Sequence, residues 1–268
     1  RIEDHNFANG EFMPVPQDTV RERRVFIIQS TDLGEYHTNF GDLRDAGDPA
    51  ALARRYSDEG ADELVFLDIT ATSEDRKTVI DLVSKVADAV NIPFTIGGGV
   101  RGVADVRALL AAGADKVAVN SAAVRNPQLL ADIADEIGRA NIVCAIDARR
   151  KDGSWRVLVR GGREDTGIDA VCWAQEAVGR GAGELLVTSF DQDGTGGGFD
   201  TDLLSRIKEK VSVPVVASGG GGSLDTFVDA VRIGRADAVL AASIFHFGTF
   251  SICEVKKALS KASFPVRL

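Results

Sequence analysis

GADKVAVNSAAV, residues 113–124, is the stretch whose reading decides the fold. Gly113-Ala114-Asp115 stops a helix and turns the chain back. The run KVAVN (116–120) that follows is apolar without polar alternation and only strand length, which suits a strand buried on both faces. It ends on two polar residues, Asn120 and Ser121. Outward from this stretch the same order recurs. Further apolar runs lie at VFIIQS (25–30), ELVFLD (63–68), PFTI (93–96), IVCAID (142–147), ELLVTS (184–189), VPVVAS (213–218) and DAVLAAS (237–243), making eight. Amphipathic segments of helical period fill the intervals at 48–60, 73–90, 102–112, 126–138, 168–180, 200–210, 223–233 and 251–262. Asp48-Pro49 and Asn126-Pro127 each pair a capping residue with a proline at the first helical position. Gly60-Ala61-Asp62 and Gly181-Ala182-Gly183 repeat the helix stop.

Eight strand-helix units in about 240 residues predict an α/β fold, the closed (βα)8 TIM barrel, rather than an open doubly wound sheet. The two halves of the chain also match. Asp68 and Asp191, Pro93 and Pro214, Asp115 and Asp237, and Ser121 and Ser243 stand 123, 121, 122 and 122 residues apart. A constant offset near half the length marks a duplication, so the barrel is expected to consist of two similar half-barrels. Residues 1–24 read as an atypical N-terminal segment and 25–268 as one barrel domain.

Composition narrows the function. The chain has 268 residues, 44% hydrophobic and 26% charged, with a net charge of −9. An acidic balance argues against nucleic acid as a partner. No apolar run is long enough to cross a membrane. Cys144, Cys172 and Cys253 are widely spaced without histidines at ligand spacing, so they read as buried hydrophobes in a reducing compartment, with no metal site. With no secretory signal at its start, the sequence implies a cytoplasmic protein.

In such barrels the chemistry gathers at the C-terminal ends of the strands. The polar residues there are Asp32, Asp68, Gly97-Gly98-Gly99, Asn120-Ser121, Asp147, Thr188-Ser189 with Asp191, Ser218-Gly219-Gly220 and Ala242-Ser243. SGGGG (218–222) and AASIF (241–245) follow adjacent strands, where glycine lets main-chain N–H groups approach a phosphate. GGG (97–99) with NSAAV (120–124) forms the same arrangement half a barrel away. A ligand with two phosphates is therefore expected, one at each pair of motifs. In the loop DQDGTGGG (191–198), Asp193-Gly194-Thr195 can hydrogen-bond substrate hydroxyls or the adjoining phosphate. Thr188 and Ser218 line the space between. Asp147 closes an otherwise apolar strand, so desolvation should raise its pKa into the range of general acid-base work. Asp32 faces it by strand count, and two acids across a cavity can divide protonating and accepting roles.

TNFGDLRDAGDP, DELVFLDITA, IPFTIGGGV, GADKVAVNSAAV, AIDARR, GAGELLVTSFDQDGT, ASGGGG and LAASIFHF, from Thr38 onward, resemble the cyclase subunits of imidazole glycerol phosphate synthases in histidine biosynthesis. The resemblance implies a lyase without metal or redox cofactor. It would take ammonia from a partner glutaminase together with a bis-phosphorylated ribulosyl-formimino aminoimidazole carboxamide ribotide. Its products would be imidazole glycerol phosphate and aminoimidazole carboxamide ribotide. By the same resemblance Asp147 and Asp32 are the catalytic carboxylates, Gly98, Gly99, Asn120 and Ser121 form one phosphate cradle, and Gly220, Ala242 and Ser243 form the other with Asp193 and Gly194 beside it. Glu63, Lys116 and Glu184 belong to a charged ring at the bottom of the barrel through which ammonia enters; from the residues alone they read as solvated charges.

The first 37 residues depart from the family. Tyr36 or His37 stands where the family's loop lysine is expected, and Phe26 where its ring arginine is. Residues 7–30 are similar to a short strand-helix-strand piece of ribose-phosphate pyrophosphokinases, as in a chimera or a replaced first unit. Loss of the loop lysine implies slower turnover with retained binding, because loop closure shields such reactions from water. Two alternatives share the two-phosphate pattern: the sister isomerase of the pathway, and a divergent or engineered phosphosugar-binding barrel without turnover.

Overall fold

The computed structural model describes residues 48–67 and 79–268 in full, and the main chain of 24–30, 35–38, 42–45 and 76–78. Its strands are β1 (Arg24–Ser30), β2 (Glu35–Thr38), β3 (Asp42–Asp45), β4 (Glu63–Leu67), β5 (Phe94–Gly97), β6 (Lys116–Val119), β7 (Ile142–Lys151), β8 (Ser154–Val159), β9 (Glu164–Asp169), β10 (Glu184–Ser189), β11 (Val215–Ser218) and β12 (Ala238–Ala241). The helices are α1 (Pro49–Asp58), α2 (Arg76–Ala89), α3 (Val103–Ala111), α4 (Ser121–Arg125), α5 (Gln128–Ile137), α6 (Ala170–Gly179), α7 (Thr201–Lys208), α8 (Leu224–Arg232), α9 (Ser243–His246) and α10 (Ile252–Lys261).

Eight of the strands pair in parallel in the order β10-β11-β12-β1-β4-β5-β6-β7, and β7 pairs back onto β10. The ring is closed, which leaves it no exposed edge. All eight expected apolar runs form these strands, and each of the eight periodic segments contains a helix.

The helix ends follow from the local sequence. Asp48 accepts the Ala51 N–H at 2.8 Å with Pro49 behind it, as a capping residue should. Asn126-Pro127 does not repeat this: the cap of α5 is Pro127, and the Leu129 N–H goes to the Asn126 main-chain carbonyl. The three glycine stops share one geometry. Gly60, Gly113 and Gly181 have φ of 93°, 114° and 115°. After each, the next alanine N–H reaches back five residues, to Tyr56, Leu109 and Ala177. That closure needs the left-handed region, which costs glycine nothing.

The duplication is visible in the hydrogen bonds. Asp115 accepts the Phe94 N–H at 2.9 Å and Asp237 accepts the Val215 N–H at 3.0 Å, each stapling a strand to its neighbour just after Pro93 or Pro214. The residues entering the one-turn helices α4 and α9 share an unusual main chain: Asn120 at φ −121°, ψ −95° and Ala242 at φ −126°, ψ −72°.

Two antiparallel elements were not expected. β7 runs on past the barrel rim and pairs with β8, and β8 with β9. β2 and β3 form a small separate hairpin. The core has two parts. A large outer layer lies between sheet and helices and includes Trp155, Trp173, Phe94 and Phe227. A small inner one fills the barrel with Val65, Ala118, Val143, Ala145, Leu186, Val216, Ala238 and Leu240. Each fully buried large side chain contributes about 1.5–3 kcal/mol. Among the cysteines only Cys144 is buried; Cys172 and Cys253 are exposed on outer helices, against the expectation. No helix among the described residues is long and apolar enough to cross a membrane.

Candidate active site

The inner core fixes what lies above and below it. Side chains alternate along a strand, so residues two positions from an inward one also face inward. Beyond Ala145 comes Asp147, beyond Leu186 Thr188, beyond Val216 Ser218, beyond Ala118 Asn120, and beyond Leu240 Ala242. These five positions form the upper layer at the C-terminal mouth. Asp147, Thr188 and Ser218 sit in one row, each the register partner of the next across β7, β10 and β11.

Asp147 is the chemical centre of that layer. The Asn120 Nδ2 donates to its Oδ2 at 2.9 Å. Desolvation pushes its carboxyl up to about 7, the Asn120 hydrogen bond opposes the rise, and the charge of Asp193 adds to it. This is the shift expected of a carboxylate emerging from IVCAID. A carboxyl half-protonated near neutral pH can give or accept a proton. The Asn120 Oδ1 is buried and accepts no hydrogen bond among the described residues. Neither neighbouring arginine holds Asp147: Arg150 lies 3.5 Å from Asp202 and Arg149 over the Phe190 ring.

The expected phosphate residues fall into two groups on opposite halves of the mouth. On one side Gly98 and Gly99, with φ of 110° and 63°, follow β5 beside Asn120 and Ser121. On the other, Gly220 follows β11 next to Ala242 and Ser243. The loop 191–198 lies directly on that second group. Gly198 N–H donates to the Gly220 carbonyl at 2.9 Å. A Cβ on Gly220 would stand 2.1 Å from the Gly198 carbonyl oxygen, and one on Gly222 2.2 Å from that of Gly196. Loop-on-loop packing thus requires these glycines before any ligand does. Asp193 is close enough to Gly219 that a Cβ there would lie 3.3 Å from its own, and desolvation raises its carboxyl as well. Gly194, at φ 72°, follows in the same turn.

The lower layer corrects the reading of Glu63, Lys116 and Glu184 as solvated charges. Glu63 is 2% and Glu184 5% exposed. The Lys116 Nζ lies 2.8 Å from Glu63 Oε2 and 3.2 Å from Glu184 Oε2. The Thr95 hydroxyl donates to Glu63 at 2.7 Å, a member of this layer that the sequence did not signal. Burial raises the Glu63 carboxyl, with Lys116 opposing. A charged layer, a small apolar one and the Asp147 layer are therefore stacked along one axis.

Comparison with known proteins decides the family. The model of the family described as histidine biosynthesis protein matches residues 28–251. The chain belongs to that family. It is 55% identical over 230 residues to the imidazole glycerol phosphate synthase subunit HisF of Flavobacterium psychrophilum, covering 86% of this chain and 92% of the relative. It is also 55% identical over 234 residues to the subunit of the same name from Nostoc sp., at 86% and 90% coverage. Within the family frame, Asp32, Asp68, the side chains of Phe26, Tyr36 and His37 and the segment 1–23 lie outside the described residues. Among the described residues no cluster of His, Cys, Asp and Glu is built to hold a metal ion.

Proposed function

We propose that this chain is the cyclase subunit of an imidazole glycerol phosphate synthase, a lyase that uses ammonia to close an imidazole ring. The observation that carries this is 55% identity over 86% of the chain to subunits of that name. The substrate is a ribulosyl-formimino aminoimidazole carboxamide ribotide carrying one phosphate at each end. The products are imidazole glycerol phosphate and aminoimidazole carboxamide ribotide.

The layered interior supports a division of tasks. One phosphate rests on Gly98, Gly99, Asn120 and Ser121, the other on Gly220, Ala242 and Ser243 with Asp193 and Gly194 beside it. The reacting centre then lies over the Asp147, Thr188 and Ser218 row. Asp147 moves protons during ring closure, with Asp32 as the second acid, and Thr188 and Ser218 orient substrate hydroxyls. Ammonia comes from a partner glutaminase at the opposite end. It passes Glu63, Lys116 and Glu184 and then the apolar layer of Ala118, Ala145 and Leu186. Such an interior admits neutral ammonia far more readily than ammonium, since an unpaired buried charge costs several kcal/mol.

The test is a steady-state assay of the isolated chain with the bis-phosphate substrate and ammonium at alkaline pH. Turnover without a glutaminase is expected. Tight substrate binding by calorimetry with no turnover would instead indicate a phosphosugar-binding barrel.

A further inference from the structure

The β8–β9 hairpin has no place in the function so far, yet its tip reaches the mouth. The turn Arg160-Gly161-Gly162 holds three successive residues in the left-handed region, at φ of 57°, 65° and 80°. Two are glycines; Arg160 is not, and a left-handed arginine persists only where its surroundings hold it. Two contacts supply that hold. The Arg160 main-chain N–H donates to the Ser121 hydroxyl oxygen at 2.9 Å. The Phe190 ring occupies the space where a Gly162 side chain would be, so closely that a Cβ would overlap it. The strand before the turn is tied to the reacting centre, because Leu158 of β8 is the register partner of Asp147.

We propose that Arg160 is a positioning residue for the first phosphate site, acting through its main-chain N–H. A serine hydroxyl has one hydrogen to donate and two lone pairs to accept with. Accepting from Arg160 fixes the oxygen and occupies one lone pair, which leaves the hydrogen for an acceptor. A phosphate oxygen resting on Gly98, Gly99 and Asn120 is such an acceptor. Asn120 and Ser121 are consecutive, so one dipeptide ties Asp147 to the hairpin tip: Asn120 donates to the acid and Ser121 receives from the turn. The inference rests on the cyclase reading, and it assigns to the hairpin the alignment of one substrate phosphate.

The test is a set of kinetic constants for the bis-phosphate substrate under saturating ammonium. Ser121→Ala is expected to raise KM about tenfold with kcat changed less than about threefold, the size of one lost hydrogen bond to a charged group. Gly162→Ala, which drives the turn away from Phe190, should give a similar rise. Combining the two should be no worse than either alone, because both remove one interaction. Arg160→Gly, which keeps the N–H and suits the left-handed turn, should shift KM much less than Ser121→Ala. Thermal unfolding of each variant separates loss of the turn from loss of the fold. Additive effects in the double variant, or an Arg160→Gly rise as large as that of Ser121→Ala, would overturn the proposal. Wild-type protein that fails to turn over would instead overturn the cyclase reading on which it rests.

Discussion

β6 and β12 occupy equivalent places in the two half-barrels and have been built on very different terms. Their entry aspartates, Asp115 and Asp237, staple the preceding strand in the same way. Their exits, Asn120 and Ala242, share an uncommon main-chain conformation before a one-turn helix. Their inward side chains have diverged. β6 presents Lys116, Ala118 and Asn120 from bottom to top, and β12 presents Ala238, Leu240 and Ala242. The duplicated main chain is thus preserved in both halves, while of these two strands β6 alone brings a charge and a side-chain hydrogen-bond donor to the axis. Backbone geometry and side-chain chemistry answer to separate constraints here.

The strongest way to break that contrast is at the acid that β6 serves. Asp147→Asn should lower kcat by roughly 10²–10⁴-fold, the range for loss of a general acid or base. The pH profile of kcat/KM in the wild type should bend near 7. Stability should move in the opposite sense to activity. The fold raises the Asp147 carboxyl from its ordinary value to about 7, so it favours the protonated form. That contribution is complete below pH ~4, is lost as pH rises to about 7 and is absent above it. The asparagine variant should therefore gain on the wild type by on the order of 2 kcal/mol at pH 8, and by little at pH 4. Urea unfolding at the two pH values checks the sign.

At the lower end, Lys116 serves Glu63 and Glu184, which are themselves repeat equivalents. Lys116→Met makes β6 as apolar at this level as β12. It leaves two buried carboxylates without their lysine, at about 3–5 kcal/mol. Since burial already raises the Glu63 carboxyl, acid protonates it more readily and the loss should shrink as pH falls. Denaturant titrations at pH 8 and pH 5 measure this, and an equal loss at both would show that the lysine matters for packing rather than charge.

Two smaller effects sharpen the comparison at the mouth. Gly220→Ala places a methyl against the Gly198 carbonyl at a φ of 107°, and should cost about 1–3 kcal/mol and loosen the 191–198 loop. Limited proteolysis of that loop reads the effect directly. Asn120→Ala turns the β6 exit into the residue found after β12. It should lower kcat about tenfold and shift the bend in the pH profile upward, because the hydrogen bond that opposes the rise of Asp147 is gone.

Much of this molecule was legible before its structure. The strands, the helices and the glycine stops follow from periodicity and turn chemistry because each is decided within about fifteen residues. The upper layer was legible too, since a polar residue ending an apolar strand points to the mouth of a barrel. What stayed hidden depends on elements far apart in sequence. Glu63, Lys116 and Glu184 are ordinary charges one at a time, and only closure of the ring brings Lys116 within 2.8 Å of Glu63 and 3.2 Å of Glu184. The pairing of Asn120 with Asp147 joins neighbouring strands 27 residues apart. The β8–β9 hairpin escaped because EDTGID is polar and mostly exposed, without the alternation that marks a strand. Asn126-Pro127 carries a capping signal, yet the main chain there satisfies the helix without its side chain.

β6 lies against β7 at one join between the half-barrels, and β12 lies against β1 at the other. An acid supplied by the end of β7 meets an amide from the adjoining strand. The end of β1 adjoins a strand whose corresponding residue is the methyl of Ala242. Unequal inheritance between the repeats thus gives one join a side-chain donor that grips an acid and the matching join only a methyl group.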